Sequence, residues 1–401
     1  MGSLLSPEPG AARLSPSRSQ GCNLWVQMLA FVARRATRKM SSTRIPGLIC
    51  VVVLVGILAA GLAPFSRPRN AVAWLGNEDG VVFGRHATIW SAGAFPKADA
   101  QSKPSCSLEI WLQPGSTSAS STLLAFYSPE NPLQFLLQQH HGLLILSREI
   151  REGQNRTRII GTEGVFPRIE PVFVTLTSGP ENTAMYVSGT LARSFPHVQI
   201  GEGCSGKLVI GTSPVGGKNW TGQLKGLALY QRELTPTEVL EHYESWTAQG
   251  RPKLSGNEQA IALYLFDERT GNTVHNNLGA GIDLYIPERF SLLHQQFLKP
   301  FWKEFTPSRG YGEDVLVNIV GFIPLGFFFC AYWSAVRPIQ RPNLSTVFFG
   351  LAISLTIEVL QSYLPTRDSG TTDLITNTLG TFLGVRLYAW KTARALLAKL
   401  Y

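Results

Sequence analysis

Residues 367–384 read RDSGTTDLITNTLGTFLG, a charged loop running straight into an apolar helix. Asp373, Asn377, Gly380 and Gly384 recur at spacings of four, three and four, which puts them on one helical face. Upstream, 345–364 is a second apolar stretch, with Glu358 and Gln361 three apart inside it. Further up, Asp314, Asn318 and Gly321 repeat the spacing of Asp373, Asn377 and Gly380. Carboxylates and amides are costly in lipid unless paired or functional. Apolar runs of about spanning length lie at 45–65 and at about 314–333, 345–364 and 373–390. The pattern predicts a four-helix transmembrane domain with polar groups gathered at one end.

The whole chain is 44% hydrophobic and 16% charged, low in charge for a soluble protein. Its formal net charge is +9. Three pieces (1–44, 334–344 and 386–401) hold thirteen Lys and Arg against one Glu, a net +12, so the rest is about −3. The basic pieces flank the apolar runs, so the charge reads as membrane topology rather than a phosphate-binding surface. Nucleic acid is not an expected partner. With Arg34, Arg35, Arg38, Lys39 and Arg44 before the first span, and basic residues after the last, both termini are expected in the cytoplasm. Residues 1–44 and 391–401 are then cytoplasmic tails, and the long stretch between the first two spans lies outside.

That stretch, 70–288, changes character. Short alternating runs bounded by Gly, Pro and Ser recur at 107–112, 122–127, 133–138, 142–147, 172–177, 184–187, 207–211, 223–230 and 262–267. This is the spacing of an antiparallel β-sandwich. One helix is announced by Thr235-Pro236-Thr237-Glu238, a capping box with proline at its first turn. Trp90, Trp111 and Trp220 are either core residues or platforms for sugars. Cys106 and Cys204 fall in this outside region and can pair there if the compartment is oxidising. Residues 289–312, with several aromatics, read as an interfacial linker returning to the bilayer.

Depth follows from a rise of about 1.5 Å per residue: Glu358 lies about 9 Å and Gln361 about 4–5 Å below the outer end of their span. Asp314 and Asn318, like Asp373 and Asn377, open their spans from the outside. With Arg367 and Asp368 in the loop, the eight residues predict an outer-leaflet polar pocket. Gly321, Gly380 and Gly384 would let helices approach closely. Three other readings stand beside it. Asp314 and Asp373 can be surface caps, Glu358 and Gln361 can bond Asn318 or Asn377 between helices, and a divalent cation can bridge the carboxylates. Asp314, Glu358, Asp368 and Asp373 against Arg367 give a formal −3, which repels bare phosphate unless a divalent cation bridges or some carboxylates are protonated by burial; otherwise the ligand group is neutral or cationic. No cofactor, metal or nucleotide fingerprint is expected.

Two family resemblances attach to these residues. The run 314–326 (DVLVNIVGFIPLG), Glu358 and Gln361, and the series Arg367, Asp373, Asn377, Gly380 and Gly384 resemble the VanZ-like family of bacterial membrane proteins. Residues 220–230 (WTGQLKGLALY), then 232–235 (RELT), His242-Tyr243 and 263–271 (LYLFDERTG) resemble concanavalin A-like domains of the laminin-G type. Together they imply a β-sandwich of concanavalin A-like jelly-roll form, inserted before a VanZ-like transmembrane domain at 313–390. They also imply a bacterial cytoplasmic-membrane location and a possible link to glycopeptide antibiotic resistance of the teicoplanin type. Three functions are expected in order. The first is a non-enzymatic envelope protein binding a membrane lipid or lipid-linked cell-wall precursor, its sandwich touching glycan or an envelope protein. The second is a membrane enzyme with an Asp/Glu pair and Mg²⁺ acting on a lipid-linked substrate. The third is a structural tether.

Overall fold

The computed structural model describes residues 45–392 apart from 98–103, 151–155, 255, 257–258, 280 and 306. The cytoplasmic tail expected at 1–44, and all but the first two residues of the one expected at 391–401, lie outside the described residues. The chain divides into two compact units. One combines 62–305 with 356–372; the other combines 1–61, 306–355 and 373–401.

The first unit is a β-sandwich. Its strands are β1 Val72–Trp74, β2 Val81–Phe83, β3 Ile89–Phe95, β4 Cys106–Pro114, β5 Ser120–Tyr127, β6 Phe135–His140, β7 Leu143–Ile150 and β8 Arg156–Thr162. They continue as β9 Val172–Ser178, β10 Asn182–Val187, β11 Thr190–Pro196, β12 Gly206–Ile210, β13 Gly222–Tyr230, β14 Ala260–Tyr264, β15 Thr273–Val274 and β16 Leu284–Tyr285. One sheet runs β1-β2-β13-β4-β9-β10-β11, with β14 also on β13; the other runs β15-β16-β3-β12-β5-β6-β7-β8. Neighbouring strands are antiparallel throughout. Every run expected from alternation carries a strand. The strands β8 and β11 were not legible, because most of their residues are exposed and show no apolar alternation.

Period-two alternation decides what each face of β4 meets. Leu108, Ile110 and Leu112 enter the core between the sheets, beside Phe83, Phe126 and Phe135. Ser107, Glu109 and Trp111 take the opposite face, under a helix. That helix, spanning Pro236–Gln249, follows the expected capping box: Thr235 accepts from Glu238 N, and the Glu238 carboxylate accepts from Thr235 N at 2.8 Å. A hydrogen bond from Arg232 is the main cause that holds the Glu238 carboxyl down to about 2. Beneath the helix Glu109 is fully enclosed. It takes hydrogen bonds from Tyr230 at 2.7 Å and Trp246 at 3.2 Å, and its other oxygen pairs with His242 at 2.9 Å. A buried carboxylate is tolerated because it is surrounded by donors. Trp220 is core as well, donating to Gln139 at 3.0 Å. Cys106 and Cys204 form a disulfide.

The helices, numbered along the chain, are α1 Ile45–Leu62, α2 Pro236–Gln249, α3 Phe301–Glu304, α4 Arg309–Ala331, α5 Pro342–Gln361 and α6 Thr371–Ala389. A π-helical turn, Tyr332–Val336, continues α4. In the helical unit Cys50 of α1 lies against Leu325 and Phe329 of α4, and Cys330 of α4 packs with Val385 and Tyr388 of α6. A methyl group on Gly380 would overlap the carbonyl of Ile319, one on Gly384 that of Ile323, and one on Gly326 that of Thr381. So α4 and α6 touch backbone to backbone, and only glycine fits at these points. Gly321, expected at a helix contact, is exposed instead, and nothing would meet its Cβ. Gly326, five residues on, holds the place against α6. Among the described residues three helices are long and apolar enough to cross a membrane: Ile45–Leu62, Arg309–Val336 and Pro342–Gln361. The segment expected as a fourth span, about 373–390, is helical as α6, 19 residues long, but is not one of these three. Its threonines, with Asp373, Asn377 and Arg386, leave it less apolar than the other three.

Candidate functional site

The eight residues of the expected pocket fall in both units. In the helical unit Asn318 donates to Asp373 at 2.8 Å, linking α4 to α6. Asn377 is buried and donates to Ser354 of α5 at 3.0 Å. Asp314 is exposed. The two asparagines therefore make interhelical bonds, with Asp373 and Ser354 as partners where the sequence suggested Glu358 or Gln361.

In the sandwich unit the segment 356–372 is tied down along its length. Glu358 is 1% exposed and accepts from Gly370 N at 2.9 Å. Gln361 is buried, and its carbonyl accepts from Gln295, which also donates to the carbonyls of Leu364 and Arg367. Gln295 thereby satisfies acceptors at the carboxyl end of α5. The Arg367 guanidinium donates to the Ala63 carbonyl, from Nε at 3.1 Å and from a terminal nitrogen. Lys299 donates to Ser369 O and its carbonyl accepts from Thr371 N, each at 2.9 Å. At the start of α6 the Glu304 carboxylate accepts from Thr372 N at 3.0 Å and from the Thr372 hydroxyl. A carboxylate at a helix amino end meets orphan N–H groups and the positive end of the dipole. Gln295 and Glu304 were missed from the sequence, where 289–312 read only as an interfacial linker. That segment does leave Phe297, Phe301, Trp302 and Phe305 more than half exposed.

Asp368 is the residue of this loop left exposed. With Pro365 and Thr366 it lines a cleft of about 630 Å³ in the sandwich unit. Arg85, His86 and Lys218 line the same cleft. Among the described residues neither Arg85 nor Lys218 has an ion-pair partner, and both are exposed. Two cations and one carboxylate line the cleft, so it carries a net positive charge. Asn219 donates to the Arg85 carbonyl at 2.8 Å and accepts from Thr212 at 2.8 Å, fixing the segment between them. Burial, and next the charge of Arg85, hold the His86 pKa below its usual 6.5. The Thr366 hydroxyl has no hydrogen-bond partner among the described residues. Among those residues no group of His, Cys, Asp and Glu converges to hold a metal ion.

Sequence alone places the basic charge at membrane flanks and the loop in a net-negative pocket. Arg85 and Lys218 are 133 residues apart in the chain, and no local spacing signals that folding brings them to one cleft.

A two-sheet sandwich joined to apolar helices of spanning length defines a membrane protein with a lectin-like domain. Residues 260–392 match the VanZ/LLP1 family, and residues 91–240 match the concanavalin A-like lectin/glucanases superfamily. The chain thus carries a VanZ-like domain and a concanavalin A-like domain. The curated Protein VanZ of Enterococcus faecium is 32% identical over 84 residues, 21% of this chain and 48% of that protein. The chain therefore spans about half the length of that relative. Among solved structures, the native heptameric SAP-like pentraxin from Limulus polyphemus is 14% identical, over 57% of this chain and 96% of that one, with a TM-score of 0.33. The Ruminococcus gnavus IT-sialidase CBM40 bound to alpha2,3 sialyllactose is 13% identical, over 41% of this chain and 95% of that one, with a TM-score of 0.31.

Proposed function

We propose that this chain is a non-enzymatic protein of the bacterial cell envelope that binds the anionic headgroup of a membrane lipid or lipid-linked cell-wall precursor. The ligand sits outside the membrane, in the cleft between the sandwich and the loop 365–368. One observation carries the reading: Arg85 and Lys218, free of ion pairs to described residues, line with the loop a cleft of about 630 Å³. That volume lies within the ordinary range of small-molecule sites, about 300–1,000 Å³. The topology that goes with it has four spans, α6 being the fourth, and both termini in the cytoplasm. The exposed aromatics of 297–305 then lie at the bilayer surface, the depth aromatic side chains favour. The Cys106–Cys204 disulfide fits an oxidising exterior. Glu358 and Arg367, expected in the pocket, hold the loop in place, and Asp368 meets the ligand. Engagement of Glu358 by Gly370 and of Asp373 by Asn318 argues against an acid pair poised for chemistry.

The test is the lipid extract of the purified protein. The wild type should retain an anionic lipid enriched over its abundance in the membrane, and Arg85→Glu with Lys218→Glu should lose it. A wild type without enrichment, or a double variant that keeps the lipid, overturns the proposal.

A further inference from the structure

A second, smaller groove of about 250 Å³ adjoins the cleft and shares Ser120, Ser121 and the ridge 216–218 with it. Its chemistry differs. Away from the ridge it is lined by Thr122, Gln138, Gln139, His140 and Ser213, with Ile145 as its apolar side chain. Gln138 donates to Thr122 at 3.3 Å, and Ser120 shares a hydrogen bond with His140 at 2.6 Å. Gln139 is committed elsewhere, donating to Ser116 O and accepting from Trp220. Ser121 is 6% exposed and lines both hollows, and its hydroxyl has no hydrogen-bond partner among the described residues. A buried hydroxyl without a partner is expensive, and a ligand hydroxyl would complete it.

We infer that the ligand is a phosphorylated sugar, with its phosphate between Arg85 and Lys218 and its sugar ring in the groove of hydroxyls and amides beside them. This rests on the function proposed above and names the ligand class for that site. Cations recognise the phosphate oxygens. Neutral donors and acceptors a few ångströms apart suit vicinal hydroxyls, and Asp368 can accept from a sugar hydroxyl at the loop side. A nucleoside phosphate fits poorly, because the groove offers no flat apolar slot for a base.

Titration of the full-length protein in nanodiscs tests this. The probes are glucose 1-phosphate, N-acetylglucosamine 1-phosphate, the two free sugars, inorganic phosphate and a prenyl-phosphate-linked hexose. At least one sugar phosphate should bind ten times more tightly than inorganic phosphate or its free sugar. Gln138→Ala should shrink that preference and leave phosphate binding unchanged, Ser121→Ala should shrink it as well, and Lys218→Glu should weaken the binding of both sugar phosphate and inorganic phosphate. Tighter binding of the prenyl-linked sugar marks a lipid-borne ligand, and equal binding marks the soluble one; either agrees with the inference. Equal affinity for sugar phosphate and inorganic phosphate, or a preference untouched by both groove variants, overturns it and leaves the anion site standing. If no probe binds but an anionic lipid still co-purifies through Arg85 and Lys218, the sugar phosphate alone is refuted; if neither is seen, both readings fall.

Discussion

Glu358 and His86 place two titratable groups in different roles. Glu358 accepts from the Gly370 N–H with its side chain almost fully enclosed. Glutamine can still accept that bond, so Glu358→Gln should leave the melting temperature and ligand retention close to wild type. Glu358→Ala leaves a buried N–H without its acceptor, which costs on the order of 1–3 kcal/mol. The melt in detergent should fall accordingly, and loss of ligand in Glu358→Gln at normal stability would show that the carboxylate itself binds. His86 answers to pH. Its pKa in the folded protein is depressed, so the unfolded chain holds the proton more tightly, and this histidine favours unfolding as pH falls through about 6.5. A bound anion opposes that depression, and binding therefore takes up a proton. Affinity for a phosphodiester, whose charge is constant in this range, should rise as pH falls below 6.5, by at most about fivefold, the size of one screened charge at close range. In His86→Ala the dependence should flatten.

At the scale of elements, the contact of α4 with α6 is set by glycines that the chain places at two spacings. Gly380→Ala drives a methyl into the Ile319 carbonyl, which is backbone and cannot swing aside. The helices must separate, at about 1–3 kcal/mol for overpacking. Gly321→Ala meets open space and should be neutral or slightly stabilising, since alanine is the better helix former. Thermal melts of the two variants in detergent compare them, and equal destabilisation would contradict the packing described. The same contrast shows what a sequence carries. The spacing from Asp373 to Gly384 was legible because one helical face repeats locally. Which of Gly321 and Gly326 touches α6 depends on how two helices meet, and no single helix records that. The sandwich was legible through alternation in strands such as β4 and β13. The exposed strands β8 and β11 were not, and neither was the cleft, whose cations come from loops far apart in the chain.

At the scale of the molecule, the sandwich has its own core and its own disulfide. A soluble fragment of about 70–288 should give a β-type circular dichroism spectrum and a cooperative melt. Reduction should lower its stability by about 2–5 kcal/mol, the usual cost of losing a native disulfide; a helical or non-cooperative fragment would refute an independent domain. The central claim is that this sandwich and the loop 365–368 form one ligand-binding cleft outside the membrane. It is tested most directly by labelling intact cells with a membrane-impermeant maleimide. Asp368 suits the introduced cysteine because it is exposed and lines the cleft, whereas its neighbour Ser369 is buried. The account predicts that Asp368→Cys is labelled from outside, that Pro338→Cys is not, and that adding Arg85→Glu and Lys218→Glu speeds labelling at 368 by emptying the cleft. Labelling at 338 with silence at 368, or a rate at 368 indifferent to the two charge reversals, would contradict it.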